Sequence, residues 1–295
     1  MRRIFMSINN VSFIGLGVMG YPMAGHLQKN GYNVTVFNRT ETKSEKWISE
    51  FKGQMAKTPG DASKDAEIVF MCVGRDEDII EVMEGENGII TKIKDKSIIV
   101  DHTTASAEIA RKYSEKLKPK NIGFLDAPIS GGQAGAENAA LSIMIGGEVQ
   151  HYEIVKPVLK SYGKAIELIG SSGSGQIAKM INQICIAGLV QALSEAMAFG
   201  KKANVDMEKV LSVISRGAAQ SWQMENRYRT MLDGKFDYGF AVDWMRKDLS
   251  ICFNEAKKNG ARLPITEIID RYYAEVQKNG GNRLDTSSLM TLVDK

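Results

Sequence analysis

Three glycines follow directly on a short apolar segment near the start of the chain. The segment VSFIG predicts a buried strand, and the glycines at positions 15, 17 and 20 open a helix with Pro22 in its first turn. Glycines also end strands, so the G-x-G-x-x-G spacing alone is a weak signal. Here a second strand, NVTVF, follows at the distance of a βαβ unit, and the helix N–H groups of such a turn hold a pyrophosphate. The motif therefore predicts a dinucleotide site formed by Gly15, Leu16, Gly17, Val18, Met19 and Gly20.

Seven apolar segments alternate with amphipathic ones over the first 170 residues. They are VSFIG, NVTVF, EIVFMCV, SIIVD, IGFLD, LSIMIG and AIELIG, and they predict an α/β Rossmann-type doubly wound, parallel sheet with helices on both faces. After GSSGSG the pattern becomes helical, with segments predicted at 176–202, 206–216, 221–232, 243–259, 264–279 and 285–293. We expect a dinucleotide-binding domain over 1–174. An all-helical substrate and oligomerisation domain over 175–295 would begin with a long interdomain helix.

Composition and charge disfavour several classes of protein. The net charge of the 295-residue chain is only +3, and no block of Lys and Arg is interleaved with aromatics, so nucleic-acid binding is not expected. The IFMSI segment after Arg2 and Arg3 is too short for a signal-peptide core, and no apolar run is expected to span a membrane, which favours a cytoplasmic protein. No metal or disulfide is predicted, because the relevant side chains are scattered: Cys72, Cys185, Cys252, His26, His102 and His151.

Ligands of an open α/β sheet bind at the carboxyl ends of its strands. The residues that follow these strands are Val73-Gly74-Arg75, His102-Thr103-Thr104 and, in DAPISGG, Ala127-Pro128-Ile129-Ser130. A hydroxyl followed by two glycines exposes backbone N–H donors that can bind a carboxylate. We therefore consider Ser130, Gly131 and Gly132 a substrate loop, with an ordinary strand-to-loop turn as the alternative.

The segment GSGQIAKMINQ places a lysine in an otherwise apolar helix. Lys179 lies near the start of this helix, and Asn182, three residues on, shares its face. A lysine on a buried face is uncommon and can transfer a proton, although it can also snorkel to the helix end. His102 is the rival acid–base group, since it follows a strand at the same edge and titrates in a suitable range.

Five motifs in order resemble those of the β-hydroxyacid dehydrogenases, the family of 3-hydroxyisobutyrate dehydrogenase, tartronate semialdehyde reductase and glyoxylate/succinic semialdehyde reductase. They are FIGLGVMGYPMA, DHTT, DAPISGG, GSGQIAKMINQ and FAVDWMRKDL, and the likeness covers nearly the whole chain. The resemblance implies hydride transfer between a nicotinamide cofactor and a small 3-hydroxy acid or carboxylate-bearing semialdehyde. It also implies a homodimer or homotetramer.

Family roles carry over by position. Lys179 resembles the catalytic lysine, with Asn182 beside it, and Ser130, Gly131 and Gly132 resemble the loop that holds the substrate carboxylate. The positions that resemble cofactor contacts are Val73, Thr104 and Lys247. The chain departs from the family where Asn182-Gln183 replaces Asn-Asn and where Ala139 and Ala140 replace a glycine and a small polar residue, so the resemblance leaves the exact substrate open.

The second domain offers further candidates with two interpretations each. Trp222 forms either a wall of the substrate pocket or ordinary packing between the domains. Arg227 and Arg229 are either solvated or bind a second carboxylate of the substrate. Lys247 forms either a cofactor contact or an i,i+4 surface pair with Asp243.

The end of the second strand, VTVFNRT, lacks the acid that normally binds the ribose hydroxyls of NAD. An acid would repel the extra phosphate of NADP, whereas Asn38, Arg39 and Thr40 offer a neutral side chain, a guanidinium and a hydroxyl. The sequence therefore favours NADP(H) as cofactor, with NAD(H) possible.

Two rival functions use the same fold. A non-catalytic nucleotide-binding regulator should have lost the proton donor, yet Lys179 and Asn182 are present. Imine reductases share the two-domain plan but place another residue where Lys179 stands. We therefore expect an NAD(P)-dependent dehydrogenase or reductase that acts on CH–OH groups.

Overall fold

The computed structural model describes residues 8–294 of the chain. Residues 1–7, which include most of the N-terminal stretch considered for a leader, and Lys295 lie outside this range. The chain forms two compact units that divide between Lys179 and Met180. The domain boundary predicted between residues 174 and 175 lies at the first residue of the long helix, Ser174. The first compact unit ends at Lys179, five residues after the predicted end of the first domain at 174.

The described part of the first unit contains one nine-stranded sheet. Its strands are β1 (Asn10–Ile14), β2 (Asn33–Phe37), β3 (Gln54–Met55), β4 (Ile68–Met71), β5 (Ile98–Asp101), β6 (Gly123–Asp126), β7 (Ile129–Ser130), β8 (Leu141–Gly146) and β9 (Gly163–Gly170). The order is β3-β2-β1-β4-β5-β6-β8-β7, with β9 paired to β8. β1 to β6 pair in parallel, with Phe13 of β1 opposite Val36 and Phe70. The seven predicted strands are all present.

The expectation of a wholly parallel sheet was wrong at one end. β8 runs antiparallel to β6 and β7, although it pairs in parallel with β9. Ten residues, 131–140, connect β7 to β8, and a parallel return needs a crossover of about a dozen or more. β3 and β7 were missed because two residues are too few to show any periodicity.

Helices cover both faces of the sheet. Within the first unit they are α1 (Gly20–Lys29), α2 (Glu41–Phe51), α3 (Pro59–Ser63), α4 (Asp76–Glu84), α5 (Ala107–Leu117), α6 (Gly132–Glu137) and α7 (Val149–Leu159), with 3-10 turns at Ile89–Thr91 and Lys118–Lys120. Successive strand residues point to opposite faces, so Phe13 joins one core with Trp47, while Ile14 joins another with Tyr113. This confirms the doubly wound α/β architecture.

The rest of the described chain is helical. It comprises α8 (Ser174–Lys202), α9 (Met207–Ile214), α10 (Trp222–Leu232), α11 (Val242–Asn259), α12 (Pro264–Lys278) and α13 (Met290–Val293), with a 3-10 turn at Thr286–Leu289. Asp206 caps α9 through a bond from the Lys209 amide, Pro264 opens α12, and Gly260 ends α11 at φ +78°. These three boundaries agree with the predicted bounds at 206, 264 and 259, whereas α9 ends at Ile214, two residues before the predicted end at 216.

Within residues 8–294 one helix, α8, is long and apolar enough to cross a membrane by length and composition. The expectation that no apolar run reaches that length was therefore wrong by this criterion. In the most apolar window of α8, 44% of the residues are buried inside the protein. The buried residues of the helix include Gln176, Lys179 and Gln183, and buried polar groups of this kind need partners within a protein core. We therefore describe α8 as a core helix.

Ala139 adopts the left-handed backbone conformation, at φ +52°, in the loop between α6 and β8. The left-handed conformation strains an L-residue by about 1–2 kcal/mol in the folded state, and glycine avoids this strain. Glycine also loses more conformational entropy on folding than alanine, which offsets about 0.5–1 kcal/mol of the gain. Ala139→Gly should therefore raise the free energy of unfolding by about 0.5–1 kcal/mol. Urea denaturation measures this change, with Ala134→Gly, within helix α6, as the control that should destabilise. An Ala139→Gly protein less stable than wild type contradicts the strain argument.

Candidate functional site

The glycine loop follows β1 and leads into α1. Gly15 has φ +97°, and a Cβ atom there would lie 2.3 Å from the Cys72 carbonyl oxygen. A Cβ atom on Gly20 would lie 2.0 Å from the Gly15 carbonyl oxygen, whereas one on Gly17 would meet no atom within 4 Å. Gly15 and Gly20 are therefore required by the fold, and internal packing does not require Gly17. The first turn of α1 contains no acidic residue, so its N–H groups suit an anion.

Asn38 at the end of β2 braces this loop. Its side-chain oxygen accepts a hydrogen bond from the Leu16 amide at 2.9 Å, and its side-chain nitrogen donates to the Thr40 carbonyl at 3.0 Å. Thr40 begins α2 without a side-chain capping bond. The Arg39 side chain is 91% exposed, and its guanidinium lies 3.7 Å from the Asp78 carboxylate. The structure thus brings Asn38 to the glycine loop and leaves the Arg39 guanidinium in solvent beside it.

A second pair of loops meets at the ends of β4 and β5. The Val73 amide donates to the Thr103 hydroxyl at 3.0 Å, and the Thr103 amide donates to the buried Asp101 carboxylate at 2.9 Å. Burial and, to a smaller extent, the negative charges of Asp126 and Asp76 raise the pKa of Asp101 to about 7, against the hydrogen bonds from Thr103 that lower it. These bonds hold the loops that carry Val73 and Thr104, two predicted cofactor contacts.

His102 is a core residue. Its Nδ1 lies 2.6 Å from the Ala127 carbonyl oxygen, which can only accept, so Nδ1 carries the hydrogen and Nε2 accepts from the Tyr162 hydroxyl at 2.9 Å. The ring stacks on Phe70 with its centroid 5.9 Å away. Burial lowers the pKa of His102 to about 4. Because the ring is buried and both nitrogens are engaged inside the fold, His102 does not fit the role of rival acid–base.

The substrate loop candidate links β7 to α6. Ser130 pairs with Ser142 of β8, and the backbone then turns through Gly131 at φ +136° and Gly132 at φ +61°. A Cβ atom on Gly131 would lie 3.1 Å from the Leu141 side chain, whereas one on Gly132 would meet no atom within 4 Å. The loop is therefore packed at Gly131 and open at Gly132, where a ligand can approach the backbone.

The first turns of α8 are anchored by the ends of β5 and β6. The buried Asp126 carboxylate accepts from the Gly173 amide at 2.7 Å and the Gln176 amide at 3.0 Å. The Gln176 side chain donates to the Thr103 carbonyl at 2.7 Å and accepts from the Ala105 amide at 3.0 Å. Lys179, three residues further on, is only 8% exposed. The helix start is thus fixed to the strand ends that carry the other candidates of this unit, and Lys179 follows within one turn.

Beyond Lys179, α8 and α11 share a chain of polar side chains. The side-chain nitrogen of Asn182 donates to the side-chain oxygen of Gln183 at 2.8 Å, and the side-chain nitrogen of Gln183 donates to the Asp248 carboxylate at 2.7 Å. The Lys247 ammonium lies 2.9 Å from the other oxygen of Asp248. Gln183 is 1% exposed and lies one helical turn after Lys179. The sequence indicates Gln183 only as a departure from the family pattern and assigns it no role. Its i,i+4 spacing from a buried lysine was the signal that could have singled it out.

Lys247 is not part of a solvated surface pair. Its side chain is 17% exposed and pairs with the buried Asp248. Asp243 accepts hydrogen bonds from Gln277 at 2.6 Å and Asn282 at 3.1 Å. The burial of Lys247 argues against the alternative interpretation of this residue as half of a solvated surface pair.

Trp222 belongs to a different cluster of the second unit. It is the first residue of α10 and 44% exposed. The Arg227 guanidinium lies 4.8 Å from the Trp222 ring centroid and 4.9 Å from that of Tyr238, and its Nε lies 3.7 Å from the buried Asp285 carboxylate. Arg227 is thus held between two rings and a carboxylate rather than solvated, and Arg229 lies over the Tyr228 ring.

Two family models and several relatives match nearly the whole chain. A family model described as the NAD binding domain of 6-phosphogluconate dehydrogenase matches residues 10–170, and one described as the NAD-binding of NADP-dependent 3-hydroxyisobutyrate dehydrogenase matches residues 173–293. An uncharacterized oxidoreductase of Shewanella frigidimarina is 55% identical over 97% of this chain and 98% of its own length. The 2-hydroxy-3-oxopropionate reductase of Escherichia coli is 32% identical over 96% of this chain and 97% of its own.

The chain belongs to the β-hydroxyacid dehydrogenase family. It is an oxidoreductase with NAD(P)-binding domains and acts on CH–OH groups. The solved structure of Mycobacterium tuberculosis 3-hydroxyisobutyrate dehydrogenase with L-serine has the same fold, with a TM-score of 0.87 at 23% identity over 98% of this chain and 100% of that one. A dehydrogenase of this family needs a nucleotide-binding site. The space beside Gly17 and the N-terminus of α1, which has no acidic residue in its first turn, fit such a site.

The buried, neutral His102 predicts a pH effect on stability. The folded state keeps the ring neutral down to about pH 4, while the unfolded chain binds a proton below its ordinary value of 6.5, so this contribution is complete above pH 6.5 and is lost as the pH falls to 4. His102→Gln should be less stable than wild type at pH 7, and its disadvantage should shrink by about 3 kcal/mol at pH 4. Urea unfolding at both pH values measures the difference.

Asp101 contributes in the opposite direction, since its raised pKa stabilises the fold at low pH and that stability is lost as the pH rises through about 7. It is present in both proteins, so its effect cancels from the comparison. An unchanged disadvantage at pH 4 contradicts the buried neutral ring.

Proposed function

We propose that this dehydrogenase interconverts a small 3-hydroxy acid and the matching carboxylate-bearing semialdehyde, with Lys179 as the acid–base group. The observation that carries the proposal is the burial of Lys179 on a helix anchored by Asp126, in the same unit as the glycine loop. The names of the Escherichia coli relative and of the second matching family model support this substrate class.

Each residue has a defined part in the proposed reaction. The nicotinamide, when bound, supplies or accepts the hydride at the carbon that bears the oxygen. In reduction the Lys179 ammonium donates one proton to the carbonyl oxygen, and in oxidation the neutral amine accepts that proton from the hydroxyl. Asn182, held by Gln183, orients the lysine or the substrate oxygen. The Ser130 hydroxyl and the amides of Gly131 and Gly132 bind the substrate carboxylate.

Removing the proposed acid tests the assignment directly. Lys179→Ala should lower kcat by about a hundredfold or more, because the developing oxygen charge loses its proton partner, and should leave the nucleotide dissociation constant within about twofold. The wild type is first screened against 3-hydroxy acids and semialdehydes with both cofactors by nicotinamide absorbance. Lys202→Ala, at the exposed end of the same helix, is the matched control. Near-wild-type turnover of Lys179→Ala excludes Lys179 as the acid–base group, and nucleotide binding by a wild type with no turnover favours a regulator.

We also propose a preference for NADP(H). The acid that would repel the extra phosphate is replaced by Asn38, whose side chain holds Leu16 and Thr40. The Arg39 guanidinium projects into solvent next to this turn, with Asp78 as a partner only at 3.7 Å, a distance that leaves most of its hydrogen-bond donors for a phosphate. Thr40 adds a hydroxyl that makes no capping bond to α2.

Arg39→Ala should therefore lower kcat/KM with NADPH by about five- to tenfold, since an ion pair at an exposed site is worth less than a buried one. With NADH the value should change by less than about twofold. Arg39→Lys, which keeps the charge but not the planar fork, should fall between wild type and Arg39→Ala. Initial rates with both cofactors measure the ratio, and a wild type that favours NADH refutes the preference.

The remaining proposals concern location and assembly. Exposed apolar side chains follow one another along one face of α8, namely Ile181, Leu189 and Phe199. A homodimer or homotetramer that covers this face fits the chain better than a monomer in water. We propose a cytoplasmic enzyme of this kind, and sedimentation equilibrium against the 32.5 kDa mass of one chain measures the subunit number.

A further inference from the structure

One histidine connects the nucleotide helix to the substrate loop helix. His26 lies on α1, and its Nε2 is 3.0 Å from the Ala136 carbonyl oxygen and 3.0 Å from the Glu137 carbonyl oxygen at the end of α6. Carbonyl oxygens only accept, so Nε2 carries a hydrogen and donates it to both. These are terminal carbonyls of a helix, which have no partner within the helix itself, although the Ala136 carbonyl also accepts from the Ala139 amide of the following loop at 3.5 Å. His26 therefore supplies α6 with a fixed external donor.

α1 is a rigid support for this contact. A Cβ atom on Gly25 would lie 2.5 Å from the Phe51 ring of α2, so this ring packs directly against the backbone of α1. Leu27 of α1 is fully buried in the core on that face of the sheet. The imidazole of His26 thus projects from a helix whose position is already set by α2 and the sheet.

α6, in contrast, is short and enters the core through one fully buried side chain, Ala136. It contains only six residues, with no side-chain capping bond at its N-terminus and no acid in its first turn, and at its other end the Asn138 side chain donates to the Ala134 carbonyl at 2.8 Å. Gly131 precedes it, and Gly132 and Gly135 lie within it, and each glycine adds freedom that ordering must remove. Its exposed Gln133 bonds Glu137 within the same helix and so adds no link to the rest of the fold. The contact from His26 therefore joins the end of a short, glycine-rich helix to a helix that packs against α2 and the sheet.

We propose that His26 is a positioning residue, which holds α6 so that Ser130, Gly131 and Gly132 keep the geometry that binds the substrate carboxylate. This inference rests on the proposed function of that loop. His26 touches neither substrate nor nucleotide in this proposal and acts through the end of α6. Its loss therefore weakens carboxylate binding and leaves the glycine loop, which is braced by Asn38, unaffected.

The test compares His26→Ala with His26→Gln and with Lys29→Ala. The amide of glutamine can still donate to a carbonyl, and Lys29 lies on the same helix with its ammonium over the Phe51 ring rather than on α6. His26→Ala should raise KM for the carboxylate substrate about three- to tenfold, as expected for one lost hydrogen bond, with kcat and nucleotide KM within about twofold. His26→Gln should keep KM for the carboxylate substrate close to the wild-type value, and Lys29→Ala should leave it unchanged.

A second readout does not depend on turnover. Hydrogen exchange of the backbone amides of residues 132–138 should be faster in His26→Ala than in wild type and unchanged in Lys29→Ala. In a Ser130→Ala background, His26→Ala should add less than about twofold to KM, because both changes act on one loop.

Three results overturn the inference: unchanged exchange in His26→Ala, an equal rise of nucleotide KM, or full additivity with Ser130→Ala. A wild type inactive with every 3-hydroxy acid and semialdehyde contradicts the proposed function instead. In that case the exchange measurement still decides whether His26 holds α6.

Discussion

The buried carboxylate of Asp126 fixes the start of the longest helix to the sheet. Its two oxygens accept amide hydrogens from Gly173 and Gln176, which are among the unpaired N–H groups at the start of α8. Burial raises the pKa of Asp126, while the hydrogen bonds from these two amides favour its charged form. The helix start therefore stabilises the buried carboxylate, and the carboxylate in turn fixes the helix start. The backbone must come very close, since a Cβ on Gly146 would lie 2.6 Å from one carboxylate oxygen and a Cβ on Gly175 2.9 Å from the other. Asp126 also ends the strand that leads to Ser130, so one strand end sets both the lysine helix and the substrate loop.

The sequence predicted most of the architecture because its signals are local. A buried parallel strand is a continuous apolar run, and a long helix shows its period over many residues, so both could be identified without tertiary information. β7 pairs with β8 through only two residues and depends on a partner reached across the α6 loop. Its antiparallel direction follows from the length of that loop, which composition does not reveal.

The roles of side chains could likewise be predicted where they depend on neighbours in sequence, and could not where they depend on distant residues. Gly15 and Gly20 could be predicted because their motif is contiguous, and the structure explains both by close backbone contacts. His102 could be assigned only from its surroundings, since the Ala127 carbonyl and the Tyr162 hydroxyl lie 25 and 60 residues away. The partners of Arg227 and Gln183 are likewise distant in sequence, at Asp285 and Asp248. Asn38 has a structural reason beyond charge, because an aspartate could accept from Leu16 but could not donate to the Thr40 carbonyl.

Gly17 differs from the glycines on either side of it in a way that separates folding from ligand recognition. The fold excludes a side chain at Gly15 and Gly20, whereas at Gly17 a methyl group would meet no protein atom within 4 Å. The packing of the chain therefore places no requirement on Gly17, and a restriction on its side chain has to come from the nucleotide that we propose binds this loop. Gly17→Ala should therefore leave the fold intact and narrow the space at the proposed nucleotide site. Such a protein would separate the thermal stability intrinsic to the apoenzyme from the part that the bound nucleotide adds by mass action.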